Sequence, residues 1–147
     1  MKTVACILRM KGHEVWTISP NATVYEALQL MAEKDVGALP VVDGHTLVGM
    51  ISERDYARKV ILSGRMSKET LVHEVMSYRV IWTSPDEATE NCMSLMTARH
   101  IRHLPVLEDG RLTGMVSIGD LVKSIVSDQK ELIRRLENHI QEAASLV

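Results

Sequence analysis

The 147-residue chain is 46% hydrophobic and 24% charged, the balance of one globular domain or of two half-size units sharing a core. A formal net charge of −2 provides no broad basic field, which argues against nucleic acid and anionic membranes as partners, although a small anion needs only a local patch. Cys6 and Cys92 stand far apart without C-x-x-C spacing, as in a reduced cytoplasmic protein, and both read as core thiols.

Residues 1–10 are interrupted by Lys2 and Arg9 and lack a small-residue cleavage site, so no signal peptide is expected there, and no apolar run reaches membrane-spanning length. Residues 15–18 read as a short strand stopped by Ser19-Pro20, because the proline ring fixes φ and removes a donor. A helix follows: Thr23 with Glu26 is a capping box, and Val24, Leu28 and Met31 supply an i, i+4, i+7 apolar stripe. Two apolar runs, 39–42 and 47–51, flank Asp43-Gly44 as a hairpin, and a second helix starts near Ser52. The connector 64–78 carries a short apolar piece at Leu71, Val72, Val75 and Met76 and is long enough to cross over.

The same order then returns. Val80 opens a strand before Ser84-Pro85, Cys92, Leu95 and Met96 form a helical stripe, and Asp109-Gly110 turns a second hairpin. Ala88 stands where Thr23 caps the first copy, so this helix start is weaker. A final helix starts near Ser117, and Val122, Ile125, Ile133, Leu136, Ile140 and Ala143 carry it past the repeat, which predicts packing on the domain or on a second chain.

A shift of 65 positions superposes 15–61 on 80–126 without a gap. The identities include Pro20/Pro85, Leu39/Leu104, Pro40/Pro105, Gly49/Gly114, Ser52/Ser117 and Asp55/Asp120. Neither copy buries much surface alone, so the two must pack together. The expected fold is α/β: two pseudo-symmetric β-α-β-β-α repeats, 1–65 (core 15–61) and 66–128 (core 80–126), with a helical extension 129–147.

The repeated phrase G-M-[IV]-S-x-x-D, at 49–55 and 114–120, reads two ways. A serine at an N-cap and a carboxylate at N3 satisfy orphan amides at a helix start with no ligand present. The same geometry can hold a phosphate on the amides and hydroxyl, while the carboxylate accepts hydrogen bonds from both hydroxyls of a ribose. Gly49 and Gly114 leave room for a close approach.

Two tandem units with S-P before the first helix, an L-P-V strand and a G-h-h-S-x-x-D bend resemble the cystathionine β-synthase (CBS) domain pair, or Bateman module. The likeness to stand-alone bacterial CBS-pair proteins extends over 1–126 and includes the phrases at 52–59, 102–106 and 117–123. It implies a regulatory sensor that binds AMP, ATP, NAD or S-adenosylmethionine between the units and acts on a partner without catalysis, while the apolar stripe of the last helix favours a homodimer. Carried onto this chain, Asp55 and Asp120 hold ribose hydroxyls and Ser52 and Ser117 meet phosphate. The base is walled by Thr17, Ile18 and Ser19, by Trp82, Thr83 and Ser84, and by Ala38, Leu39 and Pro40 with His103, Leu104 and Pro105. Arg102 and His103 replace Gly37 and Ala38 in the second copy, which places a cation near the second pocket, with Arg102 favoured over Arg54 as a ligand contact. The alternative is an interaction scaffold whose working surface is the C-terminal helix.

Other constellations carry less. His100 and His103 have H-x-x-H spacing near Cys92, but Arg99 and Arg102 would repel a metal ion. Ser117 lacks the first glycine of a nucleophile elbow, and no catalytic set is visible. Trp16 and Trp82 sit one register apart in the alignment and read as core or interface filler.

Overall fold

The computed structural model describes residues 2–145. In chain order the elements are α1 (Val4–Lys11), α2 (Val24–Lys34), β1 (Ala38–Asp43), β2 (Thr46–Ser52), α3 (Glu53–Asp55), α4 (Val72–Val75), α5 (Thr89–Arg99), β3 (His103–Glu108), β4 (Arg111–Ser117) and α6 (Ile118–Ser145). A π-helical turn, Tyr56–Ile61, continues α3.

The duplication is visible in the hydrogen bonding. β1 pairs antiparallel with β2 and β3 with β4, and each hairpin has its register shift at the same place, between Val41 and Val42 and between Val106 and Leu107. The turns are two residues long and lie at Gly44-His45 and Asp109-Gly110, so the first falls one residue beyond the expected Asp43-Gly44. Asp109 and Gly110 both take positive φ, the mirror-image turn whose twist matches the strands.

The expected strands at 15–18 and 80–83 contract to single parallel bridges, Ile18 to Val41 and Thr83 to Val106. Each bridge residue donates to a proline carbonyl, Pro40 or Pro105, and accepts from Val42 or Leu107, after which Ser19-Pro20 or Ser84-Pro85 ends the pairing. Thr23 Oγ1 accepts from the Glu26 amide at 3.1 Å, whereas Ala88 has no oxygen to offer. Asp35 and His100 end α2 and α5 alike, in the left-handed region.

The two apolar cores do not follow the order of the chain. Val4, Ile7 and Leu8 of α1 lie in the second core, with Cys92, Met96, Leu104, Val106, Val116 and Leu121. Val72, Val75 and Met76, from the connector before the second repeat, lie in the first core, with Val24, Met31, Leu39, Val41, Ile51 and Val60. The backbone bonds match: Val4 donates to Glu87 and Ala5 to Pro85, as Val72 donates to Ala22 and His73 to Pro20. Each helix that precedes a repeat therefore packs on the other one, and boundaries drawn along the sequence at 65 and 66 do not divide the cores. Gly49 and Gly114 make this possible. A Cβ on Gly49 would lie 2.5 Å from Met76 Sδ, and one on Gly114 would lie 2.8 Å from Leu8 Cδ2. In this structure, the room those glycines leave is filled by the exchanged helices.

Three further readings change. Cys92 is buried, and burial raises its thiol pKa, but Cys6 is only half-buried on α1. Hydrogen bonds from the Thr3 side chain and backbone, then from Arg9, lower the Cys6 pKa to about 7. Trp16 and Trp82 are exposed rather than core, with the Lys34 ammonium 4.1 Å above the Trp16 ring. The 28-residue helix α6 buries only Leu121, and Leu132, Ile133, Leu136 and Ile140 are all more than half exposed. From Leu132 to Ile140, therefore, this stripe does not pack on its own domain. Leu146 and Val147, the end of the expected extension, lie outside the described residues.

Candidate functional site

Both S-x-x-D bends finish helix ends. The Asp55 amide donates to Ser52 Oγ at 3.2 Å and the Ser52 amide to Asp55 Oδ2 at 2.9 Å. The Asp120 amide and Ser117 Oγ, at 3.1 Å, and the Ser117 amide and Asp120 Oδ2, at 2.8 Å, repeat the arrangement. The capping reading of the motif is therefore physically present at each copy. What distinguishes the copies is the rest of the carboxylate.

Asp55 gives its remaining oxygen to its own helix, with Lys59 Nζ 3.0 Å from Oδ1. Asp120 receives a cation from the far end of the chain: Lys11 Nζ lies 2.7 Å from Oδ2 and 2.8 Å from the Met115 carbonyl. Among the described residues, nothing bonds Asp120 Oδ1. Burial pushes the Asp120 pKa upward, but the Lys11 bond and the Ser117 bonds outweigh it and hold the carboxyl below its ordinary range. It is a carboxylate at neutral pH.

Asp120 and Ser117 open into a cleft of about 630 Å³ between the units, within the range of small-molecule sites. One wall is Met115, Val116, Ser117, Asp120 and Lys123 of the second unit; the other is Val15, Trp16, Val36, Gly37 and Ala38 of the first, with Lys11, Gly12, Glu14 and Asp35 at its edges and His103 between the walls. His103 is half-buried, and burial, then the Lys11 charge, lower its pKa, which favours the neutral ring. Its side chain lies 3.4 Å from where a Cβ on Gly37 would stand, an ordinary van der Waals distance, so the imidazole packs on the first unit across the pseudo-twofold. Arg54 Nη1 donates to the His100 carbonyl at 2.9 Å, a second tie between the units.

Of the residues expected from sequence, Ala38, His103, Ser117 and Asp120 line this cleft. Thr17, Ile18 and Ser19 do not, because Ile18 is committed to the sheet; the wall comes instead from Glu14, Val15 and Trp16, immediately upstream. Leu39, Pro40, Leu104 and Pro105 are buried in the hairpins, and Thr83 is buried beneath its sheet, 3.4 Å from Cys92 Sγ. Trp82 is exposed and Ser84 half-buried, and neither lines the cleft. Arg102 is exposed and does not line the Asp120 cleft either. In the repeat it stands at the position that Gly37 holds in the first copy.

Sequence reasoning missed Lys11, Trp16, Asp35 and Lys123. Lys11 could not be found from the repeat, since its partner lies 109 residues away through the exchanged helix. Trp16 could have been found, because the residue ahead of a strand that stops at Ser-Pro is free to turn into the space between units. Among the described residues, no three His, Cys, Asp or Glu side chains are grouped to hold a metal ion, and no helix is long and apolar enough to cross a membrane.

Comparison with known proteins places this geometry. The CBS domain family model matches residues 9–62 and 72–127. A CBS domain-containing protein of Arabidopsis thaliana, CBSX3, mitochondrial, is 39% identical over 95% of this chain and 72% of its own length. The structure of a protein with CBS domains from Burkholderia ambifaria superposes with a TM-score of 0.84 at 51% identity, over 87% of this chain and 96% of that one. The CBS domain pair of protein MJ0100, solved with 5′-methylthioadenosine and S-adenosyl-L-methionine, shares the fold at a TM-score of 0.74 and 24% identity, over 87% of this chain and 98% of that one. With a family match across both repeats and the same two-unit architecture in solved relatives, the chain belongs to the CBS domain family and is a CBS domain pair.

Proposed function

We propose that this CBS pair is a non-catalytic sensor of adenine nucleotides, such as AMP, ATP or NAD, and that it passes the bound state to a partner. The observation that carries the reading is the cleft between the units, where a buried-side carboxylate, Asp120, keeps one oxygen open beside a serine at a helix start. A carboxylate so placed can receive both hydroxyls of a ribose, and the Ser117 hydroxyl with the Gly119 amide can meet a phosphate, the Ile118 and Asp120 amides being engaged by the Arg102 carbonyl and Ser117 Oγ. Adenosine compounds bound to the MJ0100 pair support the ligand class. Because both units wall the cleft, a ligand there stabilises one relative placement of them, which is a signal a partner can read.

AMP, ATP or NAD at a hundredfold excess over the dissociation constant is expected to add about 2.7 kcal/mol to folding stability. Thermal melts with each, and with S-adenosylmethionine, check it. No shift with any of the four at millimolar concentration ends the sensing reading. Free cysteines support a cytoplasmic place for the protein, although the plant relative is named as mitochondrial.

The exposed stripe of α6 favours a second function for the same chain, homodimerisation. Val122, Val126, Ile133, Leu136 and Ile140 recur at alternating spacings of three and four, or their sum, the seam of a two-helix coil. A chain ending at Asp128 is expected to elute as a monomer in size-exclusion chromatography with light scattering while retaining nucleotide binding. A dimer of unchanged stability in the truncated chain counts against α6 as the interface.

A further inference from the structure

The carboxylate that the proposed ribose needs is already engaged by a cation. Lys11 ends α1, and its ammonium bonds both Asp120 Oδ2 and the Met115 carbonyl inside the cleft. We infer that Lys11 is a specificity-determining residue: an entering nucleotide moves its ammonium from Asp120 to the ligand's phosphate, so the cleft selects phosphorylated nucleosides over neutral ones. The inference rests on the nucleotide reading of the cleft.

Geometry makes Lys11 the mobile member of the site. The Ser117 amide on Asp120 Oδ2 is fixed by the backbone of β4 and the start of α6. Lys11 reaches the same oxygen on a flexible four-carbon stem, and the following Gly12, at φ 104, leaves the chain free to turn away from the helix. The stem's root does not move, because Val4, Ile7 and Leu8 bury α1 in the second core. A vicinal diol that takes both carboxylate oxygens therefore competes with Lys11 and not with Ser117.

Charge decides which ligands can afford that competition. Asp120 is mostly covered and Lys11 about one-third exposed, so their ion pair is partly shielded from water. A phosphate supplies a replacement anion for the displaced ammonium. A neutral nucleoside supplies none. The other charges in the cleft are Glu14, Asp35 and Lys123; the two carboxylates disfavour phosphate unless cations accompany it, and Lys11 with Lys123 provide them. The first bend lacks this device, since Asp55 pairs with Lys59 of its own helix.

The test compares AMP with adenosine by titration calorimetry on the full chain, for the wild type, Lys11→Met and Lys11→Arg. The wild type is expected to prefer AMP by about tenfold or more. In Lys11→Met the diol no longer competes with a lysine, so adenosine binds more tightly and AMP more weakly, and the preference falls about tenfold. Lys11→Arg retains it. If both ligands bind and the preference is the same in the wild type and Lys11→Met, Lys11 does not set specificity while the nucleotide reading stands. If neither ligand binds the wild type, the inference fails, and the nucleotide reading is then decided by the melts with ATP and NAD. A wild type that binds the two equally also overturns the inference.

Discussion

Replacing Leu8 with alanine is expected to destabilise the second unit, although Leu8 precedes the first repeat in the chain. Its side chain is 1% exposed and sits against Gly114, in a core with Leu104, Val116 and Leu121. Truncating a leucine so placed costs about 2–5 kcal/mol, from lost transfer energy and the cavity left behind. For a chain of this size that corresponds to a fall in melting temperature of roughly 5–15 °C. Met10→Ala, on the exposed side of the same helix, is expected to change stability by less than about 0.5 kcal/mol. Amide exchange locates the effect. Protection should fall in β3 and β4 and persist in β1 and β2; faster exchange confined to β1 and β2 would mean that α1 serves the unit it precedes.

This exchange of helices explains what could and could not be read from the residues. The hairpins, the cap at Thr23 and the two S-x-x-D bends are local events, each decided by side chains within a few positions, and the duplication let each copy check the other. The short strand at 15–18 failed because apolar alternation does not say how many residues pair before Ser19-Pro20 intervenes; only Ile18 does. Helix α1 carries Val4, Ile7 and Leu8 at helical spacing, but lying outside the aligned repeat it had no second copy to flag it. The site divided along the same line. Ser117 and Asp120 were legible as a bend, while the opposite wall, from Glu14 to Trp16 and from Asp35 to Ala38, follows from how the units face each other. Arg102 shows the cost of assigning a wall by sequence neighbourhood: it adjoins His103, which lines the cleft, yet does not line it itself.

Asp120→Ala is expected to weaken AMP by about 100-fold and to abolish measurable adenosine binding. Two hydrogen bonds from ribose hydroxyls to an ionised carboxylate contribute about 1.5–3 kcal/mol each, and 2.7 kcal/mol is already a factor of about 100. The residual AMP affinity reflects the phosphate, which Ser117, the Gly119 amide and the released Lys11 can still hold. Asp55→Ala is the matched control. It removes the same residue from the same motif, but Asp55 does not line the cleft and its second oxygen already holds Lys59, so AMP affinity should change by less than about threefold. Each substitution also deletes a helix cap worth about 1 kcal/mol, so melting temperature alone would mislead. Calorimetric titration well below the melting transition separates affinity from stability. Equal losses in Asp55→Ala and Asp120→Ala would show that both bends hold ligand, and an unchanged affinity in Asp120→Ala would remove ribose from this cleft altogether.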